Sequence, residues 1–183
     1  MPRRRADRPV GALARETGAD PSVGRGGPHV SEHRLTSIDL DAATLQSATA
    51  EIEHERRVAI FDLLEKNSFE PAGAAGGPYA LKLAMVDGRL AFDITGPDFH
   101  RVHGLSLTPL NKVVKDYIAI CDSYYEALRG TSPSQIEAVD MGRRGLHNEG
   151  AEVLKARLDG KIGIDHETAR RLFTLVTALY RRG

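Results

Sequence analysis

Tryptophan is absent, cysteine occurs once (Cys121), and no stretch of about 18 apolar residues runs unbroken. Each absence narrows the field. A lone thiol cannot close an internal disulfide, so a reducing, cytoplasmic setting is expected. Without a long apolar run, no membrane-spanning helix is expected. Neither a CxxC pair nor an HExxH helix is present, and His100 and His103, three apart on an extended stretch, point to opposite faces. Metal and cofactor are therefore not expected. The loop from Asn67 to Pro78 carries Pro71, Gly73, Gly76 and Gly77, but has neither the lysine of a P-loop nor the GxGxxG order of a dinucleotide fold. Lysine plus arginine balances aspartate plus glutamate at 25 each, and the aromatics amount to five Phe and five Tyr. Nucleic acid is thus an unexpected partner.

What is present is unevenly placed. The first 34 residues hold seven arginines against four acids, a net +3, which leaves the rest of the chain at −3. Residues 1–32 are rich in Arg, Gly, Pro and Ala with little to bury, and are expected to form a disordered basic extension. Residues 33–183 are long enough for one core and read as a single α+β domain, a small antiparallel sheet of three to four strands packed against four to five helices.

The order of elements follows from local signals. Arg34 to Leu40 reads as a first strand, and Glu51 to Lys66 as a helix with Ile60, Phe61 and Leu64 inward and Glu53 pairing with Arg56 or Arg57. Asp87-Gly88 marks a tight hairpin across Tyr79 to Thr95. Counting outward sets Met85 opposite Leu90, Leu83 opposite Phe92 and Leu81 opposite Ile94 on one face, with Lys82 paired to Asp93 on the other. A further strand covers His100 to Leu107. Thr108 and Pro109 then open a helix with Leu110, Val113, Val114, Tyr117, Cys121, Tyr124 and Leu128 as its stripe, expected to be the central scaffold. A short strand from Lys161 to Ile164 precedes a last helix capped by Asp165, with Ala169, Leu172, Phe173, Val176, Leu179 and Tyr180 inward and Arg170 and Arg171 flanking them. Arg181 and Arg182 suit the negative end of that helix.

One stretch is chemically dense: Thr131 to Gly150, TSPSQIEAVDMGRRGLHNEG. Ser132, Pro133 and Gln135 have the spacing of a capped helix start. On a helical wheel Arg143, His147 and Gly150 fall in or beside the apolar arc of Ile136, Val139, Leu146, Val153 and Leu154, with Asp140 next to them. Arg144, Asn148 and Glu149 point elsewhere. An inward guanidinium needs a partner, and Asp140 lies three residues before Arg143 and four before Arg144, where helix side chains meet. Asp140, Arg143, Arg144, His147, Asn148 and Glu149 therefore form either a structural ion-pair cluster or a site for a phosphate or carboxylate. Gly142, Gly145 and Gly150 each cost helix stability, which calls for a close neighbour or a break.

The strings EIEHERRVAIFDLLEKNSFEP, GGPY, LSLTP, VKDY, TSPSQIEAVDMGRRGLHNEG and TARRLFTL occur in the order characteristic of an uncharacterised bacterial protein family, UPF0262. From about Glu32 to Tyr180 the chain resembles that family. The resemblance implies no activity and no catalytic residues.

Function must then be argued from the residues. No complete nucleophile, base and orienter set is visible, which favours a non-enzymatic adaptor or regulator that binds a protein partner or a second copy of itself. The alternative is a binding site or enzyme for a small anion built on Arg143, Arg144 and His147.

Overall fold

The structure is a computed structural model that describes residues 32–42 and 49–180. The expected basic extension, most of the loop after the first strand, and Arg181 and Arg182 lie outside the described residues.

The hairpin organises the sheet. Strands β3 (Tyr79–Val86) and β4 (Arg89–Gly96) meet through Asp87 and Gly88, whose φ angles of 50° and 71° are those of the two-residue turn favoured by right-handed strand twist. The register pairs Met85 with Leu90, Leu83 with Phe92 and Leu81 with Ile94, as the alternation requires. Lys82 and Asp93 are also in register, yet they do not pair with each other. Lys82 reaches Asp41 at 3.4 Å, and Asp93 takes His100 at 2.8 Å. Strand β5 (Phe99–Ser106) extends the sheet antiparallel, and β1 (Leu35–Leu40) joins its other edge in parallel, so the order is β1-β3-β4-β5 and the sheet is mixed.

Four helices cover it: α1 (Ala50–Glu65), α2 (Asn111–Leu128), α3 (Pro133–Leu158) and α4 (His166–Tyr180). Two expectations need correcting here. The scaffold is α4, not α2: eight of its 15 residues are buried, and it packs against the other three helices and β3. Within α1 the buried residues are Ala59 and Leu63, while Phe61 is 62% exposed. Apolar residues ring α1 on several sides, so periodicity could not select the inner face.

Three smaller differences remain. The Leu107 carbonyl accepts the N–H groups of both Leu110 and Asn111, a tight turn that absorbs Thr108 and Pro109 and starts α2 at Asn111. The Asn67–Pro78 loop contains a strand, β2 (Phe69–Pro71), which pairs antiparallel with β6 (Ile162–Ile164). Such a distant partnership leaves no local signal. Leu128, placed inward by the α2 stripe, ends the helix 52% exposed.

Helix α3 is continuous through all three glycines. It begins as its sequence indicates, with the Gln135 side chain accepting the Ser132 backbone N–H, and ends at Asp159-Gly160, where Gly160 has φ 69°. The glycines differ in purpose. A Cβ at Gly150 would overlap the ring tip of Phe173 on α4, whereas one at Gly142 would meet only the flexible tip of Ile120 at 2.7 Å. A Cβ at Gly145 would touch nothing within 4 Å. Gly145→Ala is accordingly expected to stabilise the protein by about 1 kcal/mol through helix propensity alone. Urea unfolding would show a higher midpoint; a lower one would mean that the Gly145 backbone has a structural duty this packing does not reveal.

Candidate ligand-binding cleft

The sequence-predicted cluster divides as the helical wheel indicates. Arg144 is 70% exposed, Asn148 and Glu149 face solvent, and none of the three lines a cavity described here. Arg143 and His147 turn inward toward α2 and α4. Asp140 stands between the two arginines. Arg143 donates to its Oδ1 from Nε at 3.1 Å and Nη2 at 2.7 Å, and Arg144 reaches Oδ2 at 2.6 Å. The hydrogen bonds from Arg143 outweigh burial and, with Arg144 adding, hold the Asp140 carboxyl below its ordinary pKa. The Arg143 guanidinium also lies over the Tyr124 ring, 4.9 Å from its centroid.

His147 is tied to α4 by both ring nitrogens. Its Nε2 lies 2.9 Å from the Arg170 carbonyl and 3.0 Å from the Thr174 hydroxyl, and its Nδ1 lies 3.4 Å from Arg170 Nη2. A guanidinium can only donate, so Nδ1 accepts and Nε2 carries the proton. The ring stacks on Tyr117 with centroids 5.2 Å apart and tilts against Phe173 at 5.9 Å. Burial, reinforced by the charges of Arg170 and Arg143 and only partly opposed by the Arg170 carbonyl and Glu167, lowers its pKa to about 4. His147 is neutral at physiological pH, a fixed, uncharged wedge between α3 and α4.

Arg143 and His147 border an open cleft of about 390 Å³ that all four helices line. Helix α1 contributes His54, Glu55, Val58, Ala59 and Asp62, and α2 contributes Tyr117. From α3 come Arg143 and His147, and from α4 come Glu167, Arg170, Arg171 and Thr174. The α4 group was the main omission from the sequence reading. The Arg170-Arg171 pair beside an apolar stripe was its signal, but only packing shows that both residues line the same cleft as Arg143. Their internal partners are loose: Glu167 is 3.5 Å from Arg170 and 4.0 Å from Arg171, and Arg171 reaches the Lys66 carbonyl at 3.5 Å. Such distances leave donors available. Among the described residues no group of three or more His, Cys, Asp or Glu could hold a metal ion, and no helix is long and apolar enough to cross a membrane.

A small mixed sheet backed by four helices, with an open cleft lined by residues of all four, makes this an α+β protein with a helix-lined pocket. The model of the uncharacterised protein family UPF0262 matches residues 32–182, and the chain belongs to that family. It is 57% identical over 153 residues to a UPF0262 protein of Caulobacter vibrioides (strain NA1000 / CB15N), covering 84% of this chain and 96% of the relative. To a UPF0262 protein of Rhizobium etli (strain CIAT 652) it is 58% identical over 154 residues, covering 83% and 98%. To one of Brucella canis (strain ATCC 23365 / NCTC 10854 / RM-666) it is 57% identical over 157 residues, covering 84% and 98%. No solved structure matches it.

Proposed function

We propose that this protein binds a small anion, a phosphate or carboxylate, in the cleft between its helices. The observation that carries the reading is the convergence of Arg143, Arg170 and Arg171 on one cavity of ligand size. Arginine offers a planar fork that matches both anions and stays charged at any relevant pH. Arg143 is oriented by Asp140 and Tyr124, and Arg170 by its own helix and His147, so the donors are held in place before a ligand arrives. The reading is one of binding, since both nitrogens of His147 are engaged and no activated nucleophile adjoins it.

A docking role for a partner protein would draw on the exposed Phe61, Leu128 and Met141. Those residues belong to three different helices, whereas the charged groups share one cavity.

Calorimetric titration of the full chain with inorganic phosphate and with citrate tests the proposal. Saturable binding is expected for at least one of them. Arg171→Gln should weaken it about tenfold or more, the worth of one charge-assisted hydrogen bond. Because Arg171 holds only distant partners, this variant should unfold at nearly the wild-type denaturant concentration. Equal binding by the folded variant, or failure of inorganic phosphate, citrate and short alkyl phosphates and carboxylates alike, would overturn the reading.

A further inference from the structure

The charged residues that line the cleft divide by helix. Helix α1 presents Glu55 and Asp62, while α3 and α4 together present three guanidiniums and one carboxylate. These charges do not neutralise one another across the gap. Glu55 accepts a hydrogen bond from Tyr125 on α2, and no described residue forms an ion pair with Asp62. The only cleft carboxylate shared by cleft guanidiniums is Glu167, on the basic side itself. Between the walls lies Tyr117, whose hydroxyl is close enough to feel both the Glu55 carboxylate and the Arg143 guanidinium. Val58 and Ala59 supply an apolar strip on the acidic wall, beside the two carboxylates.

A ligand bearing only negative charge would satisfy one wall and be repelled by the other. We infer that the ligand is a zwitterion, a phosphate or carboxylate joined by a short alkyl linker to a protonated amine, with the anion against Arg143, Arg170 and Arg171 and the ammonium against Glu55 and Asp62. This inference rests on the anion-binding reading and adds the second charge to it. Opposed fixed charges on the two walls orient such a molecule, because the reversed pose places like charges together. The linker crosses the strip of Val58 and Ala59.

Matched probes separate the two claims. The full chain would be titrated with O-phosphoethanolamine against ethyl phosphate, and with γ-aminobutyrate against butyrate; the pair that responds identifies the anion as phosphate or carboxylate. In that pair the amine-bearing probe should bind at least tenfold tighter. Asp62→Asn should remove most of that advantage, weakening the amine-bearing probe without weakening the amine-free one. Equal affinity within both pairs, or an advantage untouched by Asp62→Asn, would overturn the zwitterion while leaving the anion site intact. Binding of inorganic phosphate without any response from either pair would do the same. Failure of inorganic phosphate, citrate and all four probes would remove both readings.

Discussion

Adding one methyl group at Gly150 is expected to destabilise the protein by about 3 kcal/mol, the upper part of the usual range for overpacking a core. The Cβ would overlap the tip of the Phe173 ring, its Cζ, Cε1 and Cε2 atoms. Phe173 has nowhere to retreat: it is fully buried, and its ring lies 5.4 Å from that of Tyr117 and 5.9 Å from that of His147. Either α3 and α4 must separate or the aromatic group must repack, and interiors at crystal-like density resist both. The cost can be traced by a second change. Phe173→Leu alone loses ring contacts, but in the Gly150→Ala background it also makes room for the methyl. The double variant should therefore be less destabilised than the two single effects added. Denaturant unfolding of all four proteins would measure this, and strict additivity would show that the two residues do not oppose one another.

Stability should also fall on mild acidification, chiefly because of His147. Its pKa drops from the ordinary 6.5 to about 4 on folding, with burial the leading cause. A base whose folded pKa is depressed binds more protons when unfolded. The stability it contributes is complete above about pH 6.5, declines as the pH falls toward 4, and levels off below that. A shift of this size amounts to roughly 3 kcal/mol across the window. His103, also lowered by burial and by Arg101 and Lys161, adds a decline of the same sign. The lowered carboxyls of Asp140 and Asp165 lose their contributions only at still lower pH. Comparison with His147→Gln isolates the His147 share, since glutamine can still donate to the Arg170 carbonyl but does not titrate. The variant should be less stable at pH 7.5 yet lose much less between pH 6.5 and 4.5. Parallel pH profiles for the two proteins would contradict the assignment.

These two residues show where the sequence speaks plainly. Around the hairpin, turn chemistry and pleat act on neighbouring residues, so Asp87-Gly88 and the alternation from Leu81 to Ile94 determine the pairing without help from elsewhere. In α3 the 3.6-residue period places Arg143, His147 and Gly150 inward and Arg144, Asn148 and Glu149 outward. What it could not show is what they meet. The acids of α1 and the arginines of α4 lie far apart in the sequence, and nothing local to either links them to Arg143. The same holds for β2 and β6, and for β1, which finds a parallel partner across α1. Charge pairing was the least legible feature. Lys82 and Asp93 stand opposite each other, yet each is taken by a residue from a neighbouring segment. At exposed sites such choices turn on small energies. Gly150 lies between these cases, since its cost in a helix signals a close neighbour while the identity of Phe173 depends on the fold.

The central claim is that the guanidiniums of α3 and α4 act together on a ligand. Nuclear magnetic resonance of the arginine Nε–Hε groups during titration with inorganic phosphate reads this residue by residue. Arg143, Arg170 and Arg171 should shift together along one saturable curve while Arg144, one residue away on the outer face of α3, stays nearly still. Cleft signals that do not move, or an Arg144 signal that moves as far as theirs, would contradict it.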